Sequence, residues 1–181
     1  QSSLPAPYTV SDGVAVDLMA YPDSSALERN VAEIDRPPVC GVVTRIHIPR
    51  RGEEIRKQVL CDAAMEFCQI DPRWAGARQG HLWGLSVEAS HRFAIVHVNH
   101  ETGVEDCFWF PEGEFASEAL FAPKGPAAAE GEGYILTMIY RSKSHRSHLA
   151  VFDAQRIGEG PLARAHFGHH IPASFHGVWL S

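Results

Sequence analysis

The sequence predicts an all-β fold, and three features carry that prediction. Strand-like runs of apolar and β-branched residues recur from one end of the 181 residues to the other. Turn signals built on glycine and proline separate them at short spacing. Helical periodicity is nearly missing: only Asp23 to Asn30 and Asp62 to Phe67 look mildly helical, and both are short. Many short strands punctuated in this way indicate a sandwich, barrel or propeller, and without an exact internal repeat periodicity does not choose among them.

In chain order, Val14 to Met19 reads as a strand, and Val42 to Ile48 alternates with a period of two. Ile55 to Leu60 can pair with the latter across the Arg50-Arg51-Gly52-Glu53 turn. Further strands are expected over His81 to Val87, Phe93 to Asn99, Glu105 to Phe110, Tyr134 to Tyr140, His148 to Phe152, Ala163 to Phe167 and Phe175 to Leu180. Turns fall at His100-Glu101-Thr102-Gly103, Pro111-Glu112-Gly113, Glu130-Gly131-Glu132-Gly133 and Gly158-Glu159-Gly160-Pro161. Pro123 to Gly133 is rich in small residues but too short for a linker, so residues 1–181 read as one unit.

Charge narrows the partners. A net charge of −6 argues against nucleic acid, which calls for a basic face. The basic stretch from Arg45 to Lys57 is interrupted by Glu53 and Glu54 and reads as a solvated hairpin. No apolar run approaches the roughly 20 residues that span a bilayer. The chain opens on Gln1 without a visible signal peptide, as though cut from something longer. Its four cysteines, Cys40, Cys61, Cys68 and Cys107, form no Cys-x-x-Cys pair. They read as reduced thiols, and a cytoplasmic location is the expectation.

Eleven histidines offer metal-ligand chemistry, since neutral imidazole suits mid-row metals. His97, His100, His145 and His148 sit where strands meet turns and read as surface residues. His176 differs: Phe175 and Gly177 flank it, and Val178 and Trp179 follow. An aromatic neighbour shields a site from water and glycine permits close backbone approach. Composition alone leaves His176 either a core histidine or a ligand. Glu66 and Glu118 lie inside apolar runs, where burying a carboxylate is costly unless it is paired. Each is either a strand-edge residue facing water or an acceptor for a ligand imidazole N–H. No Gly-rich phosphate loop or Gly-x-Ser-x-Gly nucleophile motif appears, so acyl transfer has little support.

These segments combine into a resemblance to the carotenoid cleavage oxygenases. Glu66-Phe67-Cys68-Gln69-Ile70-Asp71 looks like that family's Glu-Phe-Pro-x-Ile-(Asp/Asn) segment, and Ser117-Glu118-Ala119-Leu120-Phe121 like its Ser-Glu-Pro-x-Phe motif. Glu130-Gly131-Glu132-Gly133-Tyr134-Ile135-Leu136 is similar to its acidic, glycine-bearing strand entry. Leu149 to Ala154 with Gly160-Pro161-Leu162-Ala163-Arg164 resembles its Leu-x-(Ile/Val)-Leu-Asp-Ala…Gly-Pro-(Val/Ile)-Ala-Arg hairpin. Ile171-Pro172-Ala173-Ser174-Phe175-His176-Gly177-Val178-Trp179 matches Val-Pro-x-x-Phe-His-Gly-x-Trp. Cys68 and Ala119 stand where the family usually has proline. Members that cleave stilbenes and apocarotenoids are the most similar in character.

The resemblance implies the C-terminal blades of a seven-bladed β-propeller whose axis holds Fe(II) on four histidines. His176 matches the last of these ligands, and the other three lie upstream of the matched motifs. Glu66 and Glu118 match two glutamates that accept hydrogen bonds from ligand imidazoles. The implied activity is that of a non-haem iron dioxygenase, an oxidoreductase that cleaves a C=C bond of a carotenoid, apocarotenoid or stilbene with O₂ into two carbonyl products. The partners are then O₂ and an apolar or phenolic polyene or stilbene, with room for peripheral membrane contact by the full-length enzyme. Some members isomerise instead. The isolated chain is expected to be inactive. The alternative is a non-catalytic propeller that binds an apolar ligand or a protein partner.

Overall fold

Residues 7–26, 28, 39–88, 90–172 and 176–179 are described by the structure, a computed structural model. Twelve strands run through them, and every pairing is antiparallel. The first sheet is a meander in sequence order. It contains β1 (Tyr8–Val10), β2 (Gly13–Ala20), β3 (Gly41–Pro49), β4 (Arg56–Gln69), β5 (His81–Val87), β6 (Phe93–Asn99) and β7 (Val104–Trp109). The second holds β8 (Glu114–Ala116), β9 (Leu120–Pro123), β10 (Gly133–Arg141), β11 (Arg146–Asp153) and β12 (Ala163–His166). Its order is β12-β11-β10-β8, with β9 also on β10.

β4 is long because it serves two ladders. Its first part pairs with β3, and its last residues, Glu66 and Gln69, pair with Leu85 and Trp83 of β5. The register slips between Val42 and Thr44 on β3 and again between Glu66 and Gln69. Phe67, with φ of 51°, occupies that second irregularity. A left-handed phenylalanine is uncommon and held only by its surroundings.

Two apolar clusters fill the interior. Trp83, Ile95, Phe110, Phe121, Ile135 and Phe152 join the β5–β7 part of the first sheet to the second sheet. Val43, Met65, Cys68, Ile70, Leu82 and Val98 pack the junction of β3, β4, β5 and β6. Each fully buried large side chain contributes about 1.5–3 kcal/mol against the entropy of ordering the chain. Trp83 centres the first cluster: it stacks on Phe121 at 4.6 Å, and its indole N–H donates to Ala154 O at 2.7 Å.

Most expected strands form, and the exceptions are informative. Asp62 to Phe67 is strand, not helix, because pairing with β3 and β5 overrides the local helical preference of its Ala, Met and Glu residues. Of the other helical stretch, Ser25, Ala26 and Glu28 are helical, whereas Leu27, Arg29 and Asn30 lie outside the described residues. The strand expected over Phe175 to Leu180 is not formed at residues 176–179; Phe175 and Leu180 lie outside the described residues. Side-chain contacts hold that stretch in place of a ladder, and Val178 and Trp179 are exposed. All four cysteines are unbridged. Among the described residues no helix is long and apolar enough to cross a membrane.

Candidate functional site

Glu118 sits where the strand facing β10 is interrupted. Ala116 of β8 lies opposite Ile139 and Leu120 of β9 opposite Leu136, so residues 117–119 face only residues 137 and 138. One extra residue in a ladder bends the strand and re-aims a side chain. Ser117 pins the bulge. Its amide donates to Met138 O at 2.9 Å, its hydroxyl accepts from the Met138 amide at 3.1 Å, and Thr137 donates to Ser117 O at 2.9 Å.

The nearly buried Glu118 carboxylate clamps the closing stretch of the chain. Oε1 lies 2.6 Å from Nδ1 of His176, and Oε2 accepts from the Gly177 amide at 2.9 Å. A Cβ at position 177 would come within 2.9 Å of Leu120 Cδ1, which is why glycine suits this approach. Phe67 meets the His176 ring edge-on at 6.0 Å. The structure thus brings together two of the three residues singled out from sequence, Glu118 and His176.

Glu66 is held by a different set of groups. The Tyr21 phenol oxygen lies 2.7 Å from both of its oxygens and donates its one proton to the carboxylate, and the Gly41 amide donates to Oε1 at 3.2 Å. Burial pushes the Glu66 carboxyl above its ordinary range, and the two hydrogen bonds oppose that shift. The Tyr21 phenol is pushed up in turn by its own burial and then by the carboxylate it serves. Sequence reading missed Tyr21 and Gly41, since neither carries a motif and their partner lies 45 and 25 residues away.

Beside the Glu118 clamp lies a cavity of about 660 Å³ walled by Phe67, Leu85, Phe93, Phe115, Met138 and Tyr140. Glu118 also lines it, as do His145 and His170, whose rings lie 4.4 Å apart. Volume and lining suit an apolar or aromatic molecule of modest size.

The remaining histidines divide differently from expectation. His145 and His170 are exposed, but His97 and His148 are almost fully buried, not surface residues. His97 belongs to β6 and stacks with Trp83 and His81; His148 belongs to β11 and packs on His166. Strand alternation turns both inward. Burial lowers each to about 4.

A metal-ligating histidine characteristically gives its second ring nitrogen to a carboxylate, which fixes the tautomer and the ring plane. Glu118 on Nδ1 meets that description and leaves Nε2 of His176 as the ring nitrogen that could face a metal. Iron requires more than one protein ligand, and among the described residues no three His, Cys, Asp or Glu side chains gather as a metal site. The residues present therefore fit one corner of a metal centre.

Comparison with known proteins bears on the family and the fold. A profile of the retinal pigment epithelial membrane protein (RPE65) family matches residues 7–181. The apocarotenoid-15,15'-oxygenase of Synechocystis sp. is 31% identical over 146 residues, which is 77% of this chain and 29% of that protein. The isoeugenol monooxygenase of Pseudomonas nitroreducens is 39% identical over 149 residues, 75% of this chain and 31% of that protein. The solved structure of cobalt-substituted Synechocystis apocarotenoid oxygenase superposes with a TM-score of 0.80 at 25% identity, covering 97% of this chain and 38% of that one. The chain thus spans between 29% and 38% of the length of these relatives.

Proposed function

The chain belongs to the retinal pigment epithelial membrane protein (RPE65) family, its meanders being β-propeller blades, and on that premise we propose that it supplies the C-terminal part of a non-haem iron oxygenase. Residues 1–181 act as one unit of that enzyme, which cleaves a C=C bond of an apocarotenoid, carotenoid or stilbene with O₂. Relatives named as an apocarotenoid oxygenase and a lignostilbene dioxygenase support the reaction class. The observation that carries the reading is the clamp of Glu118 on His176 and Gly177 beside the apolar cavity.

When bound, ferrous iron supplies O₂ activation; Nε2 of His176 would be one of its ligands, the remaining ligands coming from other parts of the polypeptide. Glu118 holds the Nδ1 proton of His176, orients the ring and raises its basicity without entering the metal's coordination sphere. Glu66 serves a second ligand imidazole in the same manner. Its carboxylate offsets part of the dipositive charge at a distance. Phe67 shields the His176 ring and forms a wall of the cavity. The aromatic walls orient an elongated apolar substrate and exclude water from it.

The test uses the full-length protein that contains this chain, loaded anaerobically with Fe(II). O₂ uptake and two carbonyl products are expected with a hydroxylated stilbene or an apocarotenal. His176→Ala should lose both iron and turnover. Iron content and turnover unchanged in that variant would overturn the reading. Tight binding of these substrates by an iron-free, inactive wild type would establish a non-catalytic propeller instead.

A further inference from the structure

Three strand ends meet at Glu66. Tyr21 directly follows β2, Gly41 begins β3, and Glu66 lies in the last turn-free stretch of β4 before the Phe67 irregularity. The ladders that bring them together pair Ala20 with Val42 and Gly41 with Met65. Close approach at Gly41 is built in: a Cβ there would meet Ala20 O and Met19 Cβ, both at 3.2 Å. Met65 and Cys68 are fully buried around the carboxylate's strand, and the Cys68 thiol donates to Met19 Sδ at 3.2 Å. Among the described residues, the titratable neighbours of Glu66 are Tyr21, Cys40 and Cys68; burial raises both thiols, so they stay neutral.

The phenol oxygen lies 2.7 Å from both Oε1 and Oε2, astride the carboxylate rather than at one end of it. A single O–H takes one lone pair at a time, and the Gly41 amide takes one on Oε1. An ionised carboxylate offers about four acceptor sites, so capacity for about two more donors remains. Two donors from two other strands fix both its rotamer and its plane.

We propose that Tyr21 is a positioning residue for the metal centre: its phenol, with the Gly41 amide, locks the Glu66 carboxylate in the orientation from which it serves a ligand imidazole. The inference rests on the role given to Glu66 above. Tyr21 itself touches neither metal nor substrate. By donating to Glu66 it also moderates the carboxylate's basicity, and so sets how strongly Glu66 draws the imidazole proton.

The experiment compares wild type, Tyr21→Phe and Glu66→Gln in the full-length protein. Iron retention against a chelator reads the metal. The infrared carbonyl band of protonated Glu66, assigned by its loss in Glu66→Gln and titrated in the apoprotein, reads the carboxylate. Tyr21→Phe should shift that band's midpoint upward by about one pH unit and lower iron affinity about 3- to 10-fold, one hydrogen bond's worth. Incorporating 3-fluorotyrosine at position 21, a stronger donor that preserves packing, should move the band the opposite way; it serves where Tyr21→Phe fails to fold. A role in packing alone would lower thermal stability and leave the band in place. An unmoved band, or a moved band with unchanged iron affinity, overturns the role of Tyr21. Glu66→Gln with full iron affinity overturns the role of Glu66 instead, whatever Tyr21→Phe does to the band.

Discussion

Replacing Glu118 by alanine removes two hydrogen bonds that hold the closing stretch. The carboxylate holds Nδ1 of His176 at 2.6 Å and the Gly177 amide at 2.9 Å. Hydrogen bonds to a charged group contribute about 1.5–3 kcal/mol when buried. Glu118 is 7% exposed, but the His176 side chain is 47% exposed, so water competes for that partner. About 1 kcal/mol for each bond is then the appropriate scale, or about 2 kcal/mol together. At about 1.4 kcal/mol per factor of ten, residues 176–179 should open roughly 30-fold more often. Amide hydrogen exchange at Gly177 measures this directly, since that amide's bond is the one lost. Glu118→Gln, which keeps an acceptor but loses the charge, should fall between alanine and wild type. In the iron-loaded full-length protein the alanine variant should also bind iron about 10- to 100-fold more weakly. An unchanged Gly177 exchange rate in Glu118→Ala would refute the clamp.

Three further outcomes follow from other parts of the molecule. His97 and His148 are buried and neutral, with values near 4 against an ordinary 6.5. Between those values the unfolded chain binds more protons than the folded one, so stability is complete above about pH 6.5 and lost as pH falls towards 4. Each contributes up to about 3 kcal/mol of that loss, and urea midpoints that are equal at pH 7.5 and 5.0 would contradict it. Gly84→Ala places a Cβ 2.8 Å from Met65 Sδ and 3.2 Å from Glu66 O, so the buried Met65 side chain or the β4–β5 spacing must shift. A destabilisation of about 1–3 kcal/mol is expected by chemical denaturation, and a neutral result would mean that the strand junction yields freely. The 181-residue chain alone should retain well under one equivalent of Fe(II) after anaerobic reconstitution and gel filtration. One equivalent bound would show a complete site within it.

Apolar and β-branched runs bounded by turn signals are sufficient to find β2, β3, β5, β6, β10 and β11, and β5 and β6 are buried on both faces because each contributes to both clusters. The same signals fail at Asp62 to Phe67, where good helix formers are drawn into a strand by ladders on both sides. The short strands β1, β8 and β9 were missed, having three or four residues each and no room to show a period. His97 and His148 were misread for a related reason. A histidine near a turn is usually solvated, and only the register, which sets His97 opposite Trp83, reveals the inward face.

The two glutamates show why a motif can mark a residue without giving its geometry. Both stand at breaks in an antiparallel ladder, Glu66 beside left-handed Phe67 and Glu118 within the bulge facing Thr137 and Met138. In a regular strand, successive side chains point to opposite faces, so a carboxylate among apolar neighbours faces either solvent or core. A bulge gives it a third direction, along which Glu118 reaches His176. Positions 68 and 119, where the family usually has proline and this chain has Cys68 and Ala119, lie within these irregular segments. Both residues are buried and stay in place by packing, Cys68 against Met19 and Ala119 within the larger cluster. The rigidity proline would impose on the backbone is supplied here from outside the strand, by Ser117 on Met138 at one glutamate and by Tyr21 and Gly41 at the other. Loosening those supports should therefore impair the site even where both carboxylates and His176 remain.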